Sequence, residues 1–439
     1  MTTADRAGHD GACAEYARLS RRAFLRASGA AALVAAVPVW LPRVAFARSY
    51  DPASRDVIVQ VYLRGGADGL TLAPPFGDPR YAPIRPTLAF ARPDDTQRPL
   101  AQRAIDLDGF FGLARGLEAL VPAYLNGHLL VVHAAGSADQ TRSHFDAQRV
   151  MEVGRPDDPL LVSGWLGRHL ATASPLDAQA PLRGISLTDG LVRTLAGGPR
   201  ALPIPDPAGY ALAPPRATEQ RRREGLRALF EAGPEPLRTP ALSTLRTLDT
   251  LRAIGFAGYR PAPGAAYANG DPLHASLRAT AALIKAGVGV EAAAIDMGGW
   301  DTHSLQAPFD GRMFGAMRSL ATGLAAFYAD VVLSAQPQRV IVVVMSEFGR
   351  RAAENGDGGS DHGRGGALML LGHQVAGGRV LSAWPGLQPE QLDQGDLRVT
   401  IDYRDVLAEV VSRRLGNSGG VPAVFPGFTP TVRNVVRAG

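Results

Sequence analysis

Apolar residues recur along this chain in short continuous runs, and each run is followed by a glycine-rich polar turn. "DVIVQVYLRGGADGL" has β-branched residues from Val57 to Leu63 and breaks at Gly65-Gly66, which predicts a buried strand. "HLLVVHAAG", "VGVEAAAID", "RVIVVVMSEFG" and "GALMLLG" predict four more. Between them lie patterns with helical spacing. "GLARGLEALVPAYLNG", "TRSHFDAQRVMEVG" (capped by Thr141 or Ser143), "SGWLGRHL", "LHASLRATAALIKAG", a long stretch from about 307 to 334, and "YRDVLAEVVSRRLG" all read as helices. Strands that are apolar throughout and alternate with helices imply βαβ units. The expected fold is therefore α/β, with a central, mostly parallel sheet sandwiched by helices. From about 172 to 240 the periodic runs shorten and Pro and Gly multiply, which predicts an insertion or cap segment, with charged helices over 216–255. No internal repeat is visible.

The N-terminus changes the charge picture. Arg21 and Arg22 precede Phe24, Leu25 and Arg26, an apolar run spans Ala30 to Leu41, and Ala45-Phe46-Ala47 is a small-x-small cleavage site. The run is short and alanine-rich for a membrane span. Residues 1–47 resemble a twin-arginine signal peptide cut after Ala47, the alternative being an N-terminal membrane anchor left uncut. The expectation is a mature domain over 48–439, handled by the twin-arginine translocation machinery, periplasmic or extracellular, with no stable membrane span after cleavage. Residues 1–47 hold six arginines and three acids, so +3 of the formal +5 leaves with them and about +2 remains. A near-neutral mature chain argues against a nucleic-acid partner. The single cysteine, Cys13, lies in the same segment. The mature chain is thus expected to have no disulfide, no thiolate metal site and no Cys nucleophile.

In α/β sheets ligands collect at the carboxyl ends of the strands. Asp68 follows the first strand here. Asp296, Asp301 and His303 stand in "DMGGWDTH", Glu347 and Arg350 in "SEFGR", and Asp361 and His362 in "GSDHGRGG". Carboxylates and imidazoles without thiolates suit Zn, Mn or Fe, as one or two divalent metal ions. Converging carboxylates without a cation would repel one another. Asp68, Asp296, Asp301, His303, Asp361 and His362 are accordingly the candidate metal ligands. Each motif also has a structural reading: Asp68 as a turn former, "WDTH" as a helix cap, Glu347 and Arg350 as an ion pair. His128, His133, His169 and His274 read as structural, and His373 as a further imidazole that follows a strand.

Taken together and in this order, "LRGGADGL", "RSHFDAQ", "SGWLGR", "GGWDTH", "SEFGR" and "SDHGRGG" resemble an exported bacterial family, the domain of unknown function 1501. That family is placed in the alkaline phosphatase-like (sulfatase-like) superfamily. The resemblance implies an alkaline phosphatase-like fold. It implies one metal held by Asp68, the nucleophile and the pair Asp361-His362, and a second held by Asp296 or Asp301 with His303 and a later His, for which His373 is the available residue. Ser143 is the candidate nucleophile, with Thr141 equal by residue type; Arg142 is the candidate anion contact and His144 a catalytic neighbour. The function so implied is an exported metal-dependent hydrolase of phosphate or sulfate esters, its substrate a small anionic ester or polysaccharide. The alternative is a non-catalytic metal-, polysaccharide- or partner-binding protein on the same fold. An exported oxidoreductase is disfavoured, because no haem motif, cluster-binding cysteines or G-x-G-x-x-G turn is present.

Overall fold

The computed structural model describes residues 55–212, 216–335 and 337–437. The signal-like segment and Cys13 lie outside the described residues. The main sheet has nine strands: β1 (Val57–Leu63), β2 (Leu129–Gly136), β3 (Gly184–Ser186), β4 (Ala201–Pro203), β5 (Ala292–Met297), β6 (Val340–Ser346), β7 (Gly366–Leu371), β8 (Arg379–Leu381) and β9 (Ile401–Asp402). Across the sheet the order is β8-β2-β7-β6-β1-β5-β3-β4, with β9 also paired to β2. Every pairing is parallel except those of β7, which runs antiparallel to both β6 and β2.

Both faces of the sheet are buried, which is why the strand sequences are apolar throughout rather than alternating. Val59, Val61, Val342 and Val344 point to one core with Leu277 and Ala281 of helix α5 (Pro272–Lys285) and Met317 and Leu324 of α6 (Arg312–Phe327). Ile58, Tyr62, Ile341 and Val343 point to a second core. It is closed by Met151 of α1 (His144–Val153), Trp165 and Leu170 of α2 (Trp165–Thr172), and Val406 and Val410 of α7 (Tyr403–Arg413). The fold is thus α/β, a mostly parallel mixed sheet flanked by helices on both faces.

Two expectations are adjusted. The stretch 172–240 is not set apart from the sheet: β3 pairs with β5 and β4 pairs with β3, so it extends one sheet edge. Its later part begins a helical pair, α3 (Glu219–Glu231) and α4 (Arg238–Ile254). Only α4 buries side chains, among them Leu245, Leu248 and Leu251. The helix expected over 307–334 is regular only as α6, followed by one wider turn over Tyr328–Val332. Among the described residues no helix is long and apolar enough to cross a membrane.

The reversal of β7 positions the site. β6 ends at Ser346 and β7 starts at Gly366, opposite Ala135 near the end of β2. Residues 347–365 therefore leave and re-enter the sheet at its carboxyl edge, beside the turns that follow β1, β2 and β5.

Candidate metal centre

Four segments meet at that edge. The turn after β1 supplies Gly65 and Gly66. Gly65 has φ +121°, and a Cβ there would lie 2.5 Å from the Asp301 nitrogen. The Gly-Gly turn thus lets the loop after β5 pack directly on it. The Gly65 N–H donates to Glu347 Oε1 at 2.8 Å. The Arg350 guanidinium is fully buried and donates to the carbonyls of Gly65, Gly66, Trp300 and Ser360, and to Asp301 Oδ1 at 2.7 Å. Loop 347–365 lies close against its own start: a Cβ on Gly363 would sit 2.4 Å from the Arg350 carbonyl carbon. That contact accounts for one glycine of "DHGRGG".

On this frame three imidazoles surround one carboxylate. His144 Nε2 is 3.5 Å from Asp301 Oδ2. His303 Nε2 and His362 Nε2 are 3.2 and 3.3 Å from Asp301 Oδ1 and 2.9 Å from each other. Ligand atoms of His144, Asp301 and His362 all lie within 4.8 Å of one another. The opposite nitrogen of each ring faces an acceptor. His144 Nδ1 is 2.8 Å from Glu347 Oε1, His303 Nδ1 is 3.0 Å from Asp361 Oδ1, and His362 Nδ1 is 2.8 Å from the Arg142 carbonyl. A carbonyl or ionised carboxylate only accepts, so each Nδ1 carries the proton. All three Nε2 atoms then point inward at Asp301, to which a protonated ring donates and beside which a neutral ring offers a lone pair to a cation. Two such lone pairs 2.9 Å apart repel unless a proton or a cation lies between them.

The charges agree with the geometry. Burial raises the Asp301 pKa, but hydrogen bonds from His144, His303, His362 and Arg350 outweigh it and hold the carboxyl below the usual range. Burial disfavours charge on His144, yet its bonds to Asp301 and Glu347 prevail and lift it to about 9. His303 is raised chiefly by its bond to Asp301. Without a metal the raised His144 is protonated at neutral pH, so a proton offsets the carboxylates of Asp301 and Glu347; a divalent cation would displace that proton and take over its role. The spacing of His303 Nε2, His362 Nε2 and Asp301 Oδ1, 2.9–3.3 Å apart, also fits, while His144 Nε2 faces the other carboxylate oxygen. Four donors about 2.0–2.1 Å from a zinc-sized ion in tetrahedral array stand roughly 3.3 Å apart. Imidazoles fixed through Nδ1 by carboxylate or carbonyl are the arrangement metal-ligating histidines use.

Residues 261–411 match the model of a family described as Protein of unknown function (DUF1501). The matched span holds Asp301, His303, Glu347, Arg350, Asp361 and His362; His144 lies outside it. No curated protein matches the chain.

The sequence-derived ligands divide into two groups. Asp301, His303 and His362 are brought together. Asp361 reaches the site only behind His303, half exposed, with Asn355 Nδ2 also donating to it. Asp68 is not brought to the cluster. It is fully buried, and its Oδ2 accepts from Arg85, Thr71 (2.6 Å) and Gln306 (2.8 Å). Its position in the first turn is therefore an ion pair with Arg85. Asp296, the other candidate after β5, is held by Arg64 at 2.9 Å, which also binds Glu152. His373 stands on the far edge, beside His128 with ring centroids 4.9 Å apart, because antiparallel β7 ends there.

The expected catalytic trio sits next to the cluster with altered roles. Ser143 is the N-cap residue of α1, and its side chain makes no capping bond. The Arg142 side chain pairs with Asp396 at 2.6 Å while its carbonyl holds His362. His144 joins the donor set itself. Sequence reasoning missed the role of Glu347, which accepts from His144, Gly65, Gln148 and Ser346. Glu347 and Arg350 are not paired with each other; each serves a different donor.

Proposed function

We propose that this protein is a metal-dependent hydrolase of phosphate or sulfate esters. One divalent cation would be held by His144, Asp301, His303 and His362, and a twin-arginine leader over residues 1–47 would carry the protein out of the cytoplasm. The observation that supports this best is the set of three inward-facing Nε2 atoms around Asp301, each fixed by an acceptor on its Nδ1. The motif resemblance, which implies an alkaline phosphatase-like fold, and the position at the carboxyl edge of an α/β sheet point the same way. When bound, a divalent cation there supplies Lewis-acid stabilisation of charge on an ester oxygen. The remaining work falls to the chain. Ser143 stands at the N-terminus of α1, where the helix dipole favours an anionic group, and its hydroxyl is not used in capping the helix. Its place beside His144 makes it the candidate nucleophile. Glu347 and the Arg142 carbonyl hold His144 and His362 in orientation, and Arg350 fixes Asp301.

The second reading, a non-catalytic metal- or partner-binding protein, draws on one observation: Arg142, the expected anion contact, is neutralised by Asp396. The test is metal content by mass spectrometry on the purified full chain and on His362→Ala, followed by turnover of p-nitrophenyl phosphate and p-nitrophenyl sulfate. Near-stoichiometric Zn, Mn or Fe, lost in His362→Ala, with turnover abolished in Ser143→Ala but metal retained, is the expected result. Metal without turnover leaves the binding protein, and no metal after reconstitution rejects the centre.

A further inference from the structure

A polar cleft of about 430 Å³ opens beside the cluster. That is within the size range of pockets that take small organic ligands. Its walls come from the elements that carry the candidate centre. Ala138 lies in the loop between β2 and His144, Arg364 is two residues past His362, and Asp402 ends β9, which pairs with the tip of β2. Arg364 also lines a small hollow together with Thr141 and Glu347, the acceptor of His144, so the cleft adjoins residues that orient the cluster.

The chemistry of the lining is specific. Arg364, Arg433, Asp402 and Asp405 contribute equal numbers of positive and negative charges, and each is already paired. Arg364 binds Asp393, Arg404 grips Asp402 through two nitrogens at 2.8 and 2.9 Å, and Arg433 grips Asp405 at 2.7 and 2.9 Å. A free anion would meet the two aspartates and a free cation the two arginines. What fits is a neutral ligand with many donors and acceptors, because paired guanidiniums and carboxylates keep hydrogen-bonding capacity for adjacent hydroxyls. Thr400, Thr429 and Thr431 add hydroxyls. Phe428, half-buried with the Arg404 guanidinium 3.9 Å from its ring centre, adds an apolar surface for C–H groups.

We propose that this cleft binds a neutral, polyhydroxylated ligand, the saccharide portion of an ester whose anionic group is presented to the metal centre. The link to the ester rests on the function proposed above; saccharide binding does not. The test is isothermal titration of the full chain with cellobiose, maltose and xylobiose, using three variants whose folding is checked by thermal melting. Ala138 is exposed at the cleft wall, so Ala138→Trp fills the cleft without disturbing a core. At least one disaccharide is expected to bind with Kd on the order of 1 mM, weakened on the order of tenfold in Ala138→Trp and in Phe428→Ala. Metal content stays unchanged in both. His362→Ala is expected to lose metal and keep saccharide binding, so the two proposals fail separately. Absence of binding by all three disaccharides overturns the inference, as does binding that Ala138→Trp leaves intact.

Discussion

Asp68→Asn separates the two roles open to this residue. Asp68 and Arg85 are both fully buried, and besides Asp68 the Arg85 guanidinium meets the Ala352 and Arg351 carbonyls and the Thr71 hydroxyl. Asp68 Oδ2 takes three donors, while Oδ1 is buried without a partner. An asparagine can keep its oxygen at the Oδ2 position and turn its NH2 to the Oδ1 side. The substitution then removes charge and little else. Breaking a buried ion pair by neutralising one partner costs about 3–5 kcal/mol, because the other charge stays buried. At about 2.1 cal/mol/K per residue, the unfolding entropy of a domain this size is roughly 0.8 kcal/mol/K. Tm should therefore fall by about 4–6 °C, read by circular dichroism. Metal content and affinity, measured on the same sample at 25 °C, should equal the parent's. Loss of metal from a folded Asp68→Asn protein would refute the reasoning and restore Asp68 as a ligand. An unchanged Tm would show that the buried pair contributes nothing net.

Further outcomes follow from the same geometry. Glu347→Gln should lower metal affinity about 10–100-fold with the fold retained, measured by competition with a chelating dye, because it weakens the acceptor that orients His144. Asp296→Asn should leave metal affinity unchanged and affect only the Arg64 pair; a drop in affinity would place Asp296 in the centre. Gly65→Ala should disorder the loop after β5, since its Cβ would meet the Asp301 backbone at 2.5 Å, and should lower metal content as well as Tm. Burial lowers His133 to about 4 and His169 to about 3, so both are neutral in the folded protein. The unfolded chain takes up a proton on each below about pH 6.5. Each histidine's contribution is thus complete above pH 6.5 and is lost as pH falls towards 4 and 3, by about 1.4 kcal/mol per pH unit. In urea titrations from pH 7 to 4.5, His133→Asn should show a slope about one proton shallower than the parent; an equal slope would refute the neutral assignment.

Much of this architecture can be read from pattern. The runs at 57–63, 129–136, 292–297, 340–346 and 366–371 are strands because β-branched residues buried on both faces have no other regular use. β3 and β4 escaped notice because three residues are too few to set a period. Strand direction leaves no trace in a run of valines and leucines, so nothing in "GALMLLG" warned that β7 is reversed and that His373 belongs to the far edge. Asp301, His303 and His362 could be found because loops at the carboxyl edge concentrate chemistry. Asp68 and Asp296 satisfied the same rule and yet pair with Arg85 and Arg64. An arginine that neutralises an aspartate 17 residues back, as Arg85 does for Asp68, follows no period. His144 was legible as a residue of the site, and Glu347 as a polar residue at a strand end. Its bond to an imidazole 203 positions away was not.

That last separation bears on how the molecule assembles. His144, Asp301, His303 and His362 are delivered by segments that follow β2 and β5 and precede β7, and no two of those strands are neighbours in sequence. A metal arriving during folding would find only partial donor sets, Asp301 with His303 from one loop or His144 with His362 once β2 and β7 had paired, until β1, β5 and β6 had also reached register. Tight binding is therefore a property of the completed sheet, and a cation that binds only the native state stabilises it in proportion to its concentration over Kd. The centre would serve as a closing latch and as a chemical reporter that the long-range topology is finished.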